Sequence, residues 1–403
     1  MQGLPSFCPR PRDLRRGAVL TFAFAGVVTA AAAMGCWDGA GAAAGPGSGL
    51  TAAAAPPGEA GPAPGGGAPA PGTADREAVA RAAAEAVAEG KSGKKAAQEV
   101  VSRSGDRWGV VYDRGEFQDF ADGLDGRWTG VGLWPERGAD GAIGIARVQP
   151  GGPAARAGIT AGDRLVAVDS RPVTGLKTAE VVALLRGEAG TPVALRTARD
   201  GTEASRTVHR EQLRAEPVTV RALPGGVTVI KVTAFTRGSG ARVRDAVRAA
   251  PPGGGVMLDL RGNPGGLVTE AVAAASAFLD GGLVATYDVR GEERALYADR
   301  GGDTARPLVA LVDAGTMSAA ELVAGALQDR GRAVAVGTRT FGKGSVQMPT
   351  QLPDGSVAEL TVGTYRTPGG RSLDGTGVTP DLPARDRAEE RARTVLGGLG
   401  VGP

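Results

Sequence analysis

The chain has 403 residues, with 46 Lys and Arg against 43 Asp and Glu and a formal net charge of +3. That length allows two or three domains, and charge this balanced and dispersed argues against a nucleic-acid partner. The cysteines are Cys8 and Cys36 and the single histidine is His209, which excludes a cysteine–histidine metal site and any disulfide downstream of residue 36.

Residues 1–17 carry Arg10, Arg12, Arg15 and Arg16, and an uncharged run of apolar and small residues follows from 18 to 36. A basic segment ahead of an apolar run near the ~20 residues that span a bilayer reads as a membrane anchor, with the rest of the chain outside the cell. A cleaved signal peptide and secretion is the alternative. Residues 37–73 are alanine, glycine and proline with almost no charge, too little apolar surface to fold, and read as a linker. Residues 74–127 form a helical lead-in, with helices expected at 74–89 and 94–102 before Trp108-Gly109-Val110-Val111-Tyr112. Residues 128–212 read as a small α+β domain, with a helix at 178–185 and a strand at 192–197. From 213 to 385 strands and helices alternate. Strands are expected at 226–235, 256–261, 283–289, 307–312 and 333–337, and helices at 239–250, 267–279 and 319–329. That order predicts an α/β domain on a largely buried, mostly parallel sheet. Pro353-Asp354-Gly355-Ser356 is a turn between two further strands, a hairpin. Residues 386–403 are left as a tail, with a short charged helix at 385–396.

Two stretches carry chemistry. Val312-Asp313-Ala314-Gly315-Thr316-Met317-Ser318 reads as a strand end and tight turn that place Ser318 at the start of a helix. There, free backbone N–H groups and the helix dipole stabilise an oxyanion. A serine needs a base, and His209 lies at the charged end of a strand-like run with no serine motif beside it. Lysine serves if burial makes it neutral, whereas arginine stays protonated. The chain has only six lysines, one of them in Phe341-Gly342-Lys343-Gly344. The plainer readings are that Ser318 and Glu321 form a capping box, and that Gly337 to Lys343 belong to a phosphate loop. The second fails on sequence, because Gly344 stands where Ser or Thr is needed and a strand follows. Asp259-Leu260-Arg261-Gly262-Asn263-Pro264-Gly265-Gly266 is a strand-to-helix turn that lets backbone amides approach a ligand, or an ordinary turn.

Ser318-x-x-Glu321, Phe341-Gly342-Lys343-Gly344-x-Val346-Gln347 and Asp259-Leu260-Arg261-x-Asn263-x-Gly265-Gly266 together resemble the carboxyl-terminal processing peptidases, or tail-specific proteases. The resemblance covers about 101 to 383. It implies a crotonase/ClpP-like serine peptidase core with an inserted PDZ domain over 128–212. It also implies Ser318 as nucleophile, Lys343 as general base and Gln347 as the residue that orients the lysine. The Ala319 amide, with one from Gly265 or Gly266, is implied as the oxyanion hole. A PDZ domain pairs an extended peptide with a sheet edge, and amides near Gly130, Val131, Gly132 and Leu133 would hold its terminal carboxylate. The resemblance thus implies protein or peptide substrates held by their tails, and no cofactor or metal. Thr316-Met317 and Gly262 depart from the family's usual residues. Two other classes fit the same pattern: a membrane-anchored PDZ adaptor with an inactive protease-like domain, and a crotonase-like acyl-group enzyme.

Overall fold

Runs of apolar residues without alternation mark strands covered on both faces. In the computed structural model, which describes residues 73–401 apart from 139 and 290–291, four such runs build the central sheet. Val227–Val232, Val256–Asp259, Leu308–Val312 and Val334–Gly337 lie side by side and parallel. Val218–Leu223 pairs antiparallel at one edge, and the short Leu382–Pro383 parallel at the other. Every residue of Leu308–Val312 is buried. Ile230, Leu258, Ala310 and Val312 face the helices Ser239–Ala249, Val268–Ser276 and Ala319–Asp329. Val229, Met257, Val309 and Leu311 face the helix Ala388–Gly398 through Ala388, Ala392 and Leu396. The stretch set apart as a tail therefore completes the core, because the sheet's second face needs a cover.

Leu283–Val289, expected within the alternation, belongs instead to a second, antiparallel sheet. It pairs with Glu292–Tyr297 and with Val357–Arg366. Val357–Arg366 also takes Ser345–Gln351, the expected hairpin. Its edge further binds Val110–Tyr112 from the lead-in, so this sheet joins strands some 250 residues apart. The lead-in helices are Arg76–Ala88, Gly93–Ser104 and Arg114–Leu124. Asp113 and Glu116 close a capping box on the third.

The inserted domain has strands Leu133–Arg137, Ile143–Val148, Arg164–Val168, Pro192–Arg199 and Thr202–His209, in that order across the sheet, with Leu133–Arg137 at one edge. Its helices are Pro153–Arg156 and Thr178–Leu185. A two-stranded antiparallel ribbon, Arg127–Gly130 against Glu211–Arg214, joins it to the core. The basic segment 1–17, the apolar run 18–36 and all but the last residue of the linker 37–73 lie outside the described residues. Among the described residues no helix is long and apolar enough to cross a membrane.

Candidate active site

Ligands on parallel sheets sit beyond the carboxyl ends of the strands, and two loops meet there. Beyond Val256–Asp259, Asn263 is fully buried. Its Oδ1 accepts the Gly265 N–H at 2.8 Å and its Nδ2 donates to the Val232 carbonyl at 3.0 Å. Its own carbonyl accepts the Met317 N–H, and Thr316 Oγ1 donates to the Leu260 carbonyl at 2.9 Å. These bonds strap the glycine turn to the loop that carries Ser318. Gly265 has φ +103, and a Cβ there would lie 3.0 Å from the Met317 carbonyl and 3.1 Å from both Ser318 Cβ and the Ala319 nitrogen. Only glycine lets the two loops close.

Ser318 opens the helix Ala319–Asp329 with φ 55 and ψ −119. A residue with a Cβ in that region stores about 1–3 kcal/mol of strain, as a nucleophile on a sharp strand-to-helix turn does. The capping reading is half realised. Glu321 Oε2 accepts the Ser318 N–H at 2.9 Å. The Ser318 hydroxyl, however, is buried and makes no hydrogen bond among the described residues, so capping does not use it. The Ala319 N–H belongs to the first turn, where helix geometry leaves amides without an intrahelical acceptor.

Glu321 organises the site, a role the sequence showed only as a cap. Its fully buried carboxylate accepts Thr340 Oγ1 at 2.5 Å, the Gly342 N–H at 2.7 Å and the Lys343 N–H at 2.8 Å, besides Ser318. One oxygen, Oε2, takes both the Ser318 and the Lys343 amides, which places the two backbones on either side of it. Burial pushes the Glu321 pKa up, and the four donors pull against that rise.

Lys343 is 1 % exposed. Its Nζ donates to Gln347 Oε1 at 2.8 Å and lies 4.9 Å from the centre of the Trp108 ring. Gln347 Nε2 donates to the Trp108 carbonyl at 2.6 Å, so the amide is turned with its oxygen toward the lysine. Burial pulls the Lys343 pKa well below the ordinary lysine value, while Glu359, Asp106 and Glu321 pull it back up. In the sequence Trp108 stands out only as the residue to which the lead-in helices run. Its contribution comes through a backbone carbonyl 239 residues from Gln347, which no side-chain motif reports.

A family model for peptidase family S41 matches residues 226–384, and one for a PDZ domain matches residues 144–199. The solved structure of the photosystem II D1 C-terminal processing protease shares 30 % identity over 77 % of this chain and 87 % of that chain, with a TM-score of 0.50. The chain belongs to peptidase family S41. Carboxy-terminal processing protease CtpA of Bacillus subtilis (strain 168) is 32 % identical over 284 residues, 69 % of this chain and 61 % of the relative. The chloroplastic C-terminal processing peptidase of Tetradesmus obliquus is 38 % identical over 284 residues, 64 % of this chain and 61 % of the relative. The chain thus spans about six-tenths of the length of these curated S41 relatives.

Ser318, Ala319, Gly265, Gly266, Lys343 and Gln347 come together through these bonds. The Gly265 N–H is already donated to Asn263 Oδ1, whereas Gly266, with φ +129, lies against the Phe235 backbone. In the S41 chain's PDZ domain, Gly130 ends the ribbon strand, Val131 and Gly132 form the turn after it, and Leu133 opens the edge strand. The Val131 carbonyl accepts the Ala154 N–H and that of Gly132 accepts the Gln149 N–H, while the Val131 and Leu133 side chains enter the domain core. His209 is exposed at the end of Thr202–His209 in that domain, outside the cluster. Among the described residues no group of three or more His, Cys, Asp or Glu side chains is placed to hold a metal ion.

Proposed function

We propose that this S41 chain is a serine endopeptidase of the carboxyl-terminal processing type that works through a Ser318–Lys343 dyad. The observation that carries the reading is the buried Lys343 amine, held by a neutral amide that is itself anchored on Trp108. Neutral Lys343 takes the Ser318 Oγ proton as Oγ bonds to the scissile carbonyl carbon, and the C=O electron pair moves onto oxygen. The Ala319 N–H and the helix dipole stabilise that oxyanion. With the Gly265 amide committed to Asn263, Gly266 is the glycine left to supply the second donor. Collapse expels the amine, which takes the proton from Lys343. Water, deprotonated by Lys343 as its oxygen bonds to the acyl carbon, then displaces Ser318 Oγ, which takes that proton back from Lys343.

The free edge of Leu133–Arg137 suits addition of a substrate tail as an extra strand, with its terminal carboxylate near the turn at Val131 and Gly132. The names of the relatives, carboxy-terminal processing proteases, support such a substrate. The Ser318 hydroxyl, unbonded among the described residues, supports a resting site that engages only when a tail binds, with the ribbon as the route of coupling. Unchanged cleavage of short tail peptides and folded substrates after removal of the PDZ domain would sink the gating. Residues 18–36 would hold the enzyme on the cell membrane with its catalytic part outside.

The test is cleavage of an unfolded protein with an apolar carboxyl terminus by the full-length chain and its Ser318→Ala and Lys343→Ala variants. Cutting by the parent alone is expected. Tail binding without cutting by any of the three would turn the assignment to the adaptor reading.

A further inference from the structure

Glu359 is a buried acid for which the dyad has no use. It lies inside Val357–Arg366, opposite Pro349 on one side and Val110 on the other. The residue is 3 % exposed, and its Oε1 has no hydrogen-bond partner among the described residues. Directly opposed residues of antiparallel strands project to one face, and so do residues two apart along a strand. Gln347 is opposite Thr361, so Gln347, Thr361 and Glu359 share a face, and Gln347 holds Lys343 Nζ. Glu359 is the diagonal neighbour of Gln347, a spacing of about 7–8 Å that long side chains bridge.

The lead-in covers this face with a second acid of a different kind. Asp106 accepts the N–H groups of Trp108, Gly109 and Thr361 and the Thr361 hydroxyl, at 3.1, 2.9, 2.9 and 2.8 Å. Its hydrogen-bonding capacity is filled by the local turn and the strand. That of Glu359 is not, and a buried carboxyl in that position takes either a cation or a proton as partner. The other titratable groups facing the pair are Tyr112 from Val110–Tyr112 and Glu321 from the helix start. Burial, with Glu359 and Glu116 behind it, pushes the Tyr112 hydroxyl up. Burial also pushes Glu359 up and Lys343 down, each opposed by the other's charge.

We propose that Glu359 is the counter-carboxyl of Lys343, and that the two form one protonation unit that sets the pH above which Ser318 can be activated. The proposal rests on the dyad reading above. With two protons the pair is an ammonium beside a neutral acid. Loss of one leaves it with zero net charge, as ammonium–carboxylate or as amine–acid. Loss of the second leaves an amine beside a carboxylate. Only the states with a free amine accept the Ser318 proton, and an ionised Glu359 favours the ammonium.

Glu359→Gln removes that preference, so the acid limb of kcat/KM should move to lower pH. A limb displaced by about one pH step makes the variant about tenfold faster than the parent at those pH values. Loss of a merely structural residue gives no such acceleration. A direct reading comes from ¹³C-lysine NMR of the full-length chain, in which six lysines give few signals and Lys343→Ala identifies the relevant one. Its midpoint should fall in Glu359→Gln. An unmoved midpoint overturns the pairing, whereas a moved midpoint without peptidase activity overturns only the dyad reading. Should Glu359→Gln not fold, Glu359→Leu, similar in volume and without polar atoms, carries the same expectation. The parent alone gives a further check, because a coupled pair makes the Lys343 signal respond to two protonation steps. A single step overturns the proposal.

Discussion

Two lysines near the carboxyl edge of the central sheet are treated in opposite ways. Lys231 lies on Val227–Val232, keeps 30 % of its side chain exposed, and sits 3.2 Å from Asp259 Oδ1. Arg261 already grips that carboxylate through Nε at 2.9 Å and Nη2 at 2.7 Å. Lys231 also donates to the Arg261 carbonyl, so its work is to brace the turn that leads to Asn263. Lys343 has lost its water and faces a neutral amide that another backbone group holds in place. Desolvation disfavours its charged form. In the proposed dyad, what suits Lys343 to act as a base is its surroundings, and those come from Glu321, from Gln347 four residues on and from Trp108 of the distant lead-in.

The most severe challenge to this contrast is Lys343→Arg. Arginine matches the length and the charge but keeps its proton, so kcat/KM on an unfolded tail substrate should drop by about 10³-fold or more in a protein that still folds. The parent should lose activity as pH falls through the lowered Lys343 pKa, because the ammonium form has no lone pair to accept the Ser318 proton. Activity that holds level from about pH 9 to about pH 5 would refute a lysine base.

Next in size is Gly265→Ala. The added methyl meets the Met317 carbonyl and the Ala319 nitrogen at 3.0 and 3.1 Å, and φ +103 is strained for any other residue. We expect a stability loss of about 1–3 kcal/mol and a larger proportional loss of turnover, since the Ala319 amide moves with the loop. Denaturant unfolding beside kcat/KM separates the two effects. Lost stability with full turnover would take Gly265 out of the site's architecture.

How far the sequence reached follows from the same contrast. Ser318-x-x-Glu321, the Gly342-Lys343-Gly344 loop and the Asn263 turn are local patterns, and unbroken apolar runs marked four parallel strands. The antiparallel sheet was legible only as a hairpin, because Val110–Tyr112 finds its partner about 250 residues away. Phe117, Phe120, Ala121 and Leu124 have helical spacing behind the Asp113–Glu116 box, a local signal for the helix Arg114–Leu124, which the helices expected at 74–89 and 94–102 do not include. Glu359 could not be read at all. In an alternating strand it looks like a surface residue, whereas in the fold it lies between Pro349 and Val110, with Asp106 of the lead-in bound to Thr361 beside it.

Lys231→Met gives the smallest effect and the sharpest control. The change removes a charge 3.2 Å from Asp259, but Asp259 keeps both of its bonds from the Arg261 side chain and the Arg261 N–H at 3.0 Å. A partly exposed pair of this kind contributes about 1 kcal/mol or less. The unfolding midpoint should shift slightly and the pH profile of kcat/KM should keep its acid limb. If Lys231→Met instead displaced that limb, the charge at the strand end would be reaching the base through the Asn263 turn. The two lysines would then belong to one electrostatic system, and the separation argued for them would fail.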